Sequence, residues 1–433
     1  MSTAALGLWF VAGMFVLLFL RLPVWLALAL VGILGNVVLS NVSVAQFMAG
    51  SVTFDTASNY GLSVVPMFIL MGEIATSSRL SSDLFAAARI CLSGLRGGLS
   101  VATIAASGAF GAISGSSVAT AATMTRIALP EMRKANYEDG FSAASIAAGG
   151  TLGILIPPSI ILIIYGAIAE ISVPKLFAAS LFPGIILLLL YILVAMILAN
   201  RNADVVPLEA SASFAMRVQA ALKPWRFVLL FVLTIGGIYA GIFSPNEAAG
   251  IGSFGAILLG VIDRRLNWAD LIKSLRATAI TSASLFMIVI GATMFANFVV
   301  QTRLPNLLIA TTEAWNLAPL TVMFIIIVLY IVLGCFLEGI GMVLITVPVF
   351  LPVLTGYGYD PLWFGIIVVI VVELGLITPP VGMNIFIIQA QAPGINLGQL
   401  YRGIFPFLIA PVALIVLLFL FPEIALWLPA ALY

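Results

Sequence analysis

Apolar residues run through this chain in long blocks separated by short polar breaks. The blocks fall at about 5–20, 24–40, 58–77, 98–113, 118–129, 138–170, 176–199, 226–243, 246–262, 279–301, 318–337, 341–353, 361–391 and 400–421. A membrane-crossing helix needs about 20 apolar residues, so the pattern predicts roughly ten crossings. Several blocks are irregular. Residues 6–39 are too long for one pass at about 1.5 Å per residue, and Arg21 and Pro23 mark a turn in their middle. Blocks 98–113 and 118–129 are short and meet at Ser114-Gly115-Ser116-Ser117, while 138–170 and 361–391 are each interrupted by a Pro-Pro pair. Segments 81–95 and 264–277 mix charges with periodic apolar residues and predict helices lying along the membrane interface.

Composition turns this pattern into a fold class. Hydrophobic residues make up 63% of the chain and charged residues 8%, against about 25% charged in a soluble domain. The bilayer is therefore the solvent, and the class is an all-α polytopic membrane protein. No basic residue precedes the first apolar run and no small-residue cleavage site follows it, so it reads as a first membrane helix. A net charge of +1 with scattered cations excludes a nucleic-acid face. The chain has no histidine, which removes His-based zinc sites, Ser-His hydrolases and His proton relays. No Gly-Lys dipeptide occurs, so there is no phosphate loop for ATP. The serine in Gly111-Ala112-Ile113-Ser114-Gly115 has neither a histidine nor an obvious lysine base. Cys91 and Cys335 lie far apart in or beside apolar blocks and read as packing residues.

An internal repeat accounts for the irregular blocks. Arg79-Leu80 matches Arg303-Leu304 and Gly115 matches Gly339, both at a spacing of 224. The run from Leu152 through Pro157-Pro158 matches that from Leu374 through Pro379-Pro380 at 222, and Phe182-Pro183 matches Phe405-Pro406 at 223. The halves are 1–200 and 225–433, joined by a cytoplasmic linker, 201–224. Each half is expected to hold five crossings, a re-entrant hairpin (98–129 and 318–353) and a broken helix (138–170 and 361–391). Five is odd, so the second half starts on the opposite side and the repeats are inverted. Of the 18 Lys and Arg, this topology leaves only Lys175 and Arg303 on one side. The crowded side is the cytoplasm, which places both termini in the periplasm, opens the first hairpin inward and the second outward.

Inverted repeats with broken helices predict a transport site. A Pro-Pro pair removes two N–H donors and frees carbonyls, which suit a small hard cation such as Na⁺, while the following half-helix N-termini suit a carboxylate. In the first half the candidates are Gly150, Thr151, Gly153, Pro157, Pro158 and Ser159 at the break, with Ser114, Gly115, Ser116 and Ser117 at the hairpin tip. In the second they are Thr378, Pro379, Pro380, Gly382, Met383 and Asn384, with Glu338, Gly339, Gly341 and Met342 at the tip. Hydroxyls there can act as ligands or caps, and glycines allow close backbone approach. The bland reading, prolines kinking packed helices, is weaker for two breaks and two tips in repeat-related places. Glu73, Glu338 and Glu373 are carboxylates in or beside apolar blocks. Glu338 on its tip favours a role near cation or substrate, whereas Glu73 and Glu373 fit equally well as structural carboxyls.

The run Ser63-Val64-Val65-Pro66-Met67-Phe68-Ile69-Leu70-Met71-Gly72-Glu73, the tip from Ser114 to Thr120 and Gly153-Ile154-Leu155-Ile156-Pro157-Pro158-Ser159 together resemble one family. So do Glu338-Gly339 and Thr378-Pro379-Pro380-Val381-Gly382-Met383-Asn384. The family is the large, DctM-like membrane subunit of tripartite ATP-independent periplasmic (TRAP) transporters, and the resemblance spans essentially the whole chain. It implies an elevator-type inner-membrane importer of organic acids (C4-dicarboxylate, sialic acid or sugar acid type), driven by a Na⁺ gradient with no other cofactor. It also implies two partners, a periplasmic solute-binding protein and a small four-helix membrane subunit, the latter expected as a separate polypeptide. The sodium sites would lie at the tips and breaks named above. The alternatives are a standalone cation-coupled anion carrier of the same fold, a channel, or the membrane part of an ATP-driven importer.

Overall fold

The computed structural model describes residues 2–201 and 211–433, so positions 202–210 of the expected linker lie outside the described residues. Every regular element described is helical. The first half opens with α1 (Thr3–Phe19) and α2 (Val24–Leu39), which turn at Arg21 and Pro23 as the sequence predicts. After them comes α3 (Val42–Ala57), a helix with no apolar block to announce it, and then α4 (Val64–Ser77) and α5 (Leu80–Cys91). The hairpin is α6 (Gly98–Ser114) with α7 (Ser117–Lys134), and the broken helix is α8 (Asp139–Leu155) with α9 (Ile160–Ala169), bent by 41°. The half closes on α10 (Val173–Arg201).

The second half begins with α11 (Phe214–Leu222) and α12 (Trp225–Phe231), which runs through a π turn into α13 (Gly237–Tyr239). Next come α14 (Pro245–Ile262), α15 (Trp268–Gln301) and α16 (Leu304–Ala314). The hairpin is α17 (Pro319–Gly334) with α18 (Gly339–Gly356), and the broken helix is α19 (Pro361–Leu376) with α20 (Met383–Gln391). The chain ends on α21 (Leu397–Ile404), α22 (Ile409–Leu420) and α23 (Glu423–Leu432). Among the described residues, six spans are long and apolar enough to cross a membrane, or eight when each bent pair is one span. The remaining expected crossings rest on α1, α2 and α19, which are apolar but no longer than 17 residues.

One sequence expectation is corrected. Residues 264–277 do not form a separate interfacial helix, because from Trp268 they belong to α15, one uninterrupted helix of 34 residues. No proline lies between Trp268 and Gln301, and the one glycine, Gly291, is deep inside the apolar part. The polar start therefore propagates straight into the apolar remainder. α5 and α16 share a feature at their starts. Both follow an arginine in the left-handed region, Arg79 at φ 63° and Arg303 at φ 56°.

Two sets of close helix contacts stand out, joined to each other where α15 meets α18 and α4 meets α6. In the first, α2 lies against α15 through glycines, with Gly32 on the Met294 backbone, Gly35 on the Phe298 ring and Gly291 on the Trp25 carbonyl. Small residues let backbones approach where lipid offers no hydrophobic drive between helices. α4 joins through α14, where Ser253 donates to the Met67 carbonyl at 2.6 Å. In the second group α8 packs on α6, α7, α10 and α21, and α19 packs on α17, α18 and α10.

Ion pairs gather at the polar ends. Arg133 grips Asp139 with Nε and Nη2 at 2.7 and 2.9 Å and also donates to the Pro393 carbonyl, tying the end of α7 to the α20–α21 turn. Glu131 joins Lys134 at 2.6 Å and Arg89 of α5 at 2.5 Å. The Lys134 ammonium, and then the Arg89 guanidinium, hold its carboxyl below the usual carboxylate range. Arg226 grips Asp263 with Nη2 at 2.6 Å to one oxygen and Nε against the other, both side chains being largely buried. Asp263→Asn should cost about 1–3 kcal/mol, because it leaves a buried guanidinium underpaired. Thermal unfolding in detergent reads this loss, and adding Arg226→Gln should recover most of it.

Candidate functional site at the hairpin tips and helix breaks

The first tip is built by its own short residues. Gly115 ends α6 at φ 61°, a conformation that glycine adopts without a Cβ penalty. Ser116 caps α7 by accepting from the Ala119 N–H at 3.3 Å. Thr120 donates to the Ser116 carbonyl at 2.8 Å and shares a 3.0 Å hydrogen bond with Ser114. The first break lies against this tip, with the Ile160 N–H donating to the Gly115 carbonyl at 3.4 Å. Ser159 caps α9, and Thr151 donates to the Ala148 carbonyl and pairs with the Tyr191 hydroxyl at 3.0 Å.

The second tip uses a carboxylate where the first uses a hydroxyl. Glu338 caps α18, accepting from the Gly341 N–H at 3.4 Å. Its break is held by neighbours. The Cys335 thiol donates to the Pro379 carbonyl at 3.4 Å, and the Tyr401 hydroxyl donates to the Pro380 carbonyl. Thr378 bonds back to the Leu374 carbonyl at 2.5 Å, and Gly382 turns the chain into α20 at φ 66°. The peptide between the two prolines is cis in both breaks.

In each half a pair of glycines presses the hairpin onto the broken helix. A Cβ on Gly111 of α6 would stand 2.4 Å from the Gly153 Cα of α8, and one on Gly334 of α17 would stand 2.9 Å from the Gly375 Cα of α19. The spacings are 223 and 222, those of the sequence repeat. Gly150 and Gly341 likewise serve packing, against Ala121 and Val24.

These contacts bring the two tips together. A small cavity of about 40 Å³ is lined by Gly115, Ser116, Ser117, Glu338 and Gly339. Beside it a cavity of about 420 Å³ is lined by Ser114, Ser116, Glu73, Glu338 and Met383, with Thr76 and Thr281. Glu73, ambiguous in the sequence, therefore faces the same space as both tips. Thr281 and the partners Tyr191, Cys335 and Tyr401 were not legible beforehand, because each reaches the site only through tertiary packing. Thr151, Gly153, Pro157, Pro158, Ser159, Met342, Glu373, Thr378, Pro379, Pro380, Gly382 and Asn384 line neither cavity.

Three buried polar groups near the tips and breaks are short of partners. Glu373 is 1% exposed and neither of its carboxylate oxygens meets hydrogen-bond geometry, nor does Ser117 Oγ or either end of the Asn384 amide. The Ser117 hydroxyl is close to Glu373, which also lies within electrostatic reach of Tyr191. Buried polar groups are ordinarily satisfied, so these three stand out.

The chain folds as a polytopic helical membrane protein whose hairpin tips meet around an internal polar space. The solved Alcanivorax borkumensis YdaH transporter superposes with a TM-score of 0.65 over 98% of each chain at 15% identity. The family profile described as tripartite ATP-independent periplasmic transporter, DctM component, matches residues 11–424, and the chain belongs to that family. It is 33% identical over 377 residues to the C4-dicarboxylate TRAP transporter large permease protein DctM of Pseudomonas aeruginosa, covering 87% of this chain and 88% of that one. It is 35% identical over 428 residues to the ectoine/5-hydroxyectoine TRAP transporter large permease protein UehC of Ruegeria pomeroyi, covering 96% of each.

Proposed function

We propose that this chain is the large permease subunit of an inner-membrane, sodium-coupled importer of a small organic acid, working with a periplasmic binding protein and a small membrane subunit. The observation that carries the reading is the convergence of both tips on one polar space, flanked by Ile154, Ile160, Leu376 and Met383 beside the breaks, with unpartnered buried polar atoms at Ser117, Glu373 and Asn384. The mechanism follows from what such groups do. Carbonyls at the breaks, hydroxyls of Ser114–Ser117 and Thr378, and the Glu373 carboxylate offer oxygens to Na⁺ as co-substrate. The N-terminal ends of α7 and α9, capped by Ser116 and Ser159, would favour a cargo carboxylate through their helix dipoles. The α6–α9 and α17–α20 group would carry that load past the α2–α4–α14–α15 group in an elevator motion. The halves would be inverted repeats, with both termini periplasmic.

The test is reconstitution into proteoliposomes with the two partner proteins, following uptake of labelled C4-dicarboxylates, sialic acid and sugar acids. Uptake should require an inward Na⁺ gradient and added binding protein, and should persist without ATP. Uptake at full rate without the binding protein would favour a standalone carrier, and uptake indifferent to Na⁺ would overturn the coupling.

A further inference from the structure

The 420 Å³ cavity is walled by α4, α7, α15 and α20. On α7 its lining stripe is Val118, Ala119 and Ala122, and Arg126 stands exposed one turn further along the same stripe. On α15 the lining residues are Thr281 and Leu285, and the exposed Lys273 lies about two turns nearer the helix start. On α4 the stripe through Glu73 and Thr76 runs to the same end. There Ser77 Oγ lies 2.9 Å from Ser274 Oγ, the residue next to Lys273. Both cations act electrostatically on Glu73, and neither takes part in an ion pair among the described residues. Two carboxylates, Glu73 and Glu338, thus line the space, and two cations without ion pairs stand beyond its lining on α7 and α15.

We propose that Arg126 and Lys273 form an anion-receiving station at the cytoplasmic mouth of this cavity, taking the carboxylate of the cargo as it leaves the tips. This rests on the anionic-cargo reading above. A guanidinium offers a planar fork that matches a carboxylate, and an ammonium adds a point charge beside it. Like-signed charge at a cleft mouth raises the local concentration of counter-ions. The lining carboxylates repel an anion that has lost its sodium and the mouth attracts it, so the gradient favours release into the cytoplasm.

The station can be read without knowing the cargo. Ala122→Cys, in a chain carrying Cys91→Ser and Cys335→Ser, places one thiol between the lining carboxylates and the mouth. In inside-out vesicles it is labelled with the anionic sulfonatoethyl and the cationic trimethylammonioethyl methanethiosulfonate. Arg126→Gln with Lys273→Gln should lower the anionic-to-cationic rate ratio by roughly tenfold at low salt, and less at high salt. Arg126→Lys with Lys273→Arg should keep the ratio. A ratio unchanged within about twofold by the glutamines, or a thiol unreactive from the cytoplasmic side, would overturn the station. Uptake of labelled carboxylates by the unlabelled protein is scored separately, so failure of the anionic-cargo reading shows there and not in the labelling.

Discussion

Glu373→Gln is expected to leave the protein folded and to lower sodium-driven uptake by roughly a hundredfold, the equivalent of about 3 kcal/mol. The side chain lies in α19, where every residue from Trp363 to Leu376 is buried, and neither carboxylate oxygen has a hydrogen-bond partner. A dehydrated carboxylate costs several kcal/mol unless a cation or proton offsets it. No Lys or Arg forms an ion pair with it among the described residues. Under the proposed coupling Na⁺ supplies the offset, with Ser117 as a neighbouring ligand. Glutamine keeps the volume and one oxygen but gives up the charge. The unfolding temperature should hold or rise while the sodium requirement for uptake climbs steeply. Uptake against Na⁺ concentration, with thermal unfolding alongside, measures both. A variant with the parent's sodium dependence would remove Glu373 from the coupling site.

The other large effect is expected from one added methyl group. In Gly111→Ala the new carbon would sit 2.4 Å from the Gly153 Cα, and in Gly375→Ala 2.7 Å from the Gly334 Cα. The obstacle in each case is backbone, which cannot rotate aside as a side chain would, so the hairpin must lift off its broken helix. Overpacking of this kind costs about 1–3 kcal/mol or more, and it moves a tip whose carbonyls and hydroxyls are set by that contact. Both variants should lose several degrees of unfolding temperature, at about 2–4 °C per kcal/mol for a large chain, and nearly all uptake. Gly13→Ala and Gly250→Ala are the controls, because nothing lies within 4 Å of their added carbons. Gly250 is inside α14, where alanine favours the helix by up to about 1 kcal/mol. If Gly111→Ala unfolds with the parent, the crossing is looser than its distances imply.

The irregular segments were legible because they are marked by residues with stringent backbone roles. Pro-Pro pairs, tip glycines and the Arg-Leu dipeptides kept their spacing, and each marks a break, a tip or a helix start in the structure. The two Arg-Leu dipeptides, 224 residues apart, coincide with the starts of α5 and α16. Amphipathic patterning pointed to a separate helix at 264–277, which the structure makes the first turns of α15. Periodicity reports which face of a helix is polar but not where the helix ends, and nothing between Trp268 and Gln301 stops it. The cap and tip residues could be found one by one, since glycine, serine and proline act locally. What they face could not. That Glu73 shares a cavity with Glu338, that Tyr191 meets Thr151, and that Thr281 joins the wall are products of packing between distant segments.

The unbroken length of α15 has a mechanical consequence. Thirty-four residues at about 1.5 Å each make a rod of roughly 50 Å, some 20 Å longer than the oily slab it pierces. The surplus is about a dozen residues, much the same as the polar opening stretch that holds Asp270, Lys273 and Arg276. That end must stand out in water or the rod must lean. The thickness of the host lipid layer therefore decides how far Lys273 protrudes, and a stiff mast of this kind transmits any tilt imposed at one surface directly to Thr302 and Arg303 at the other.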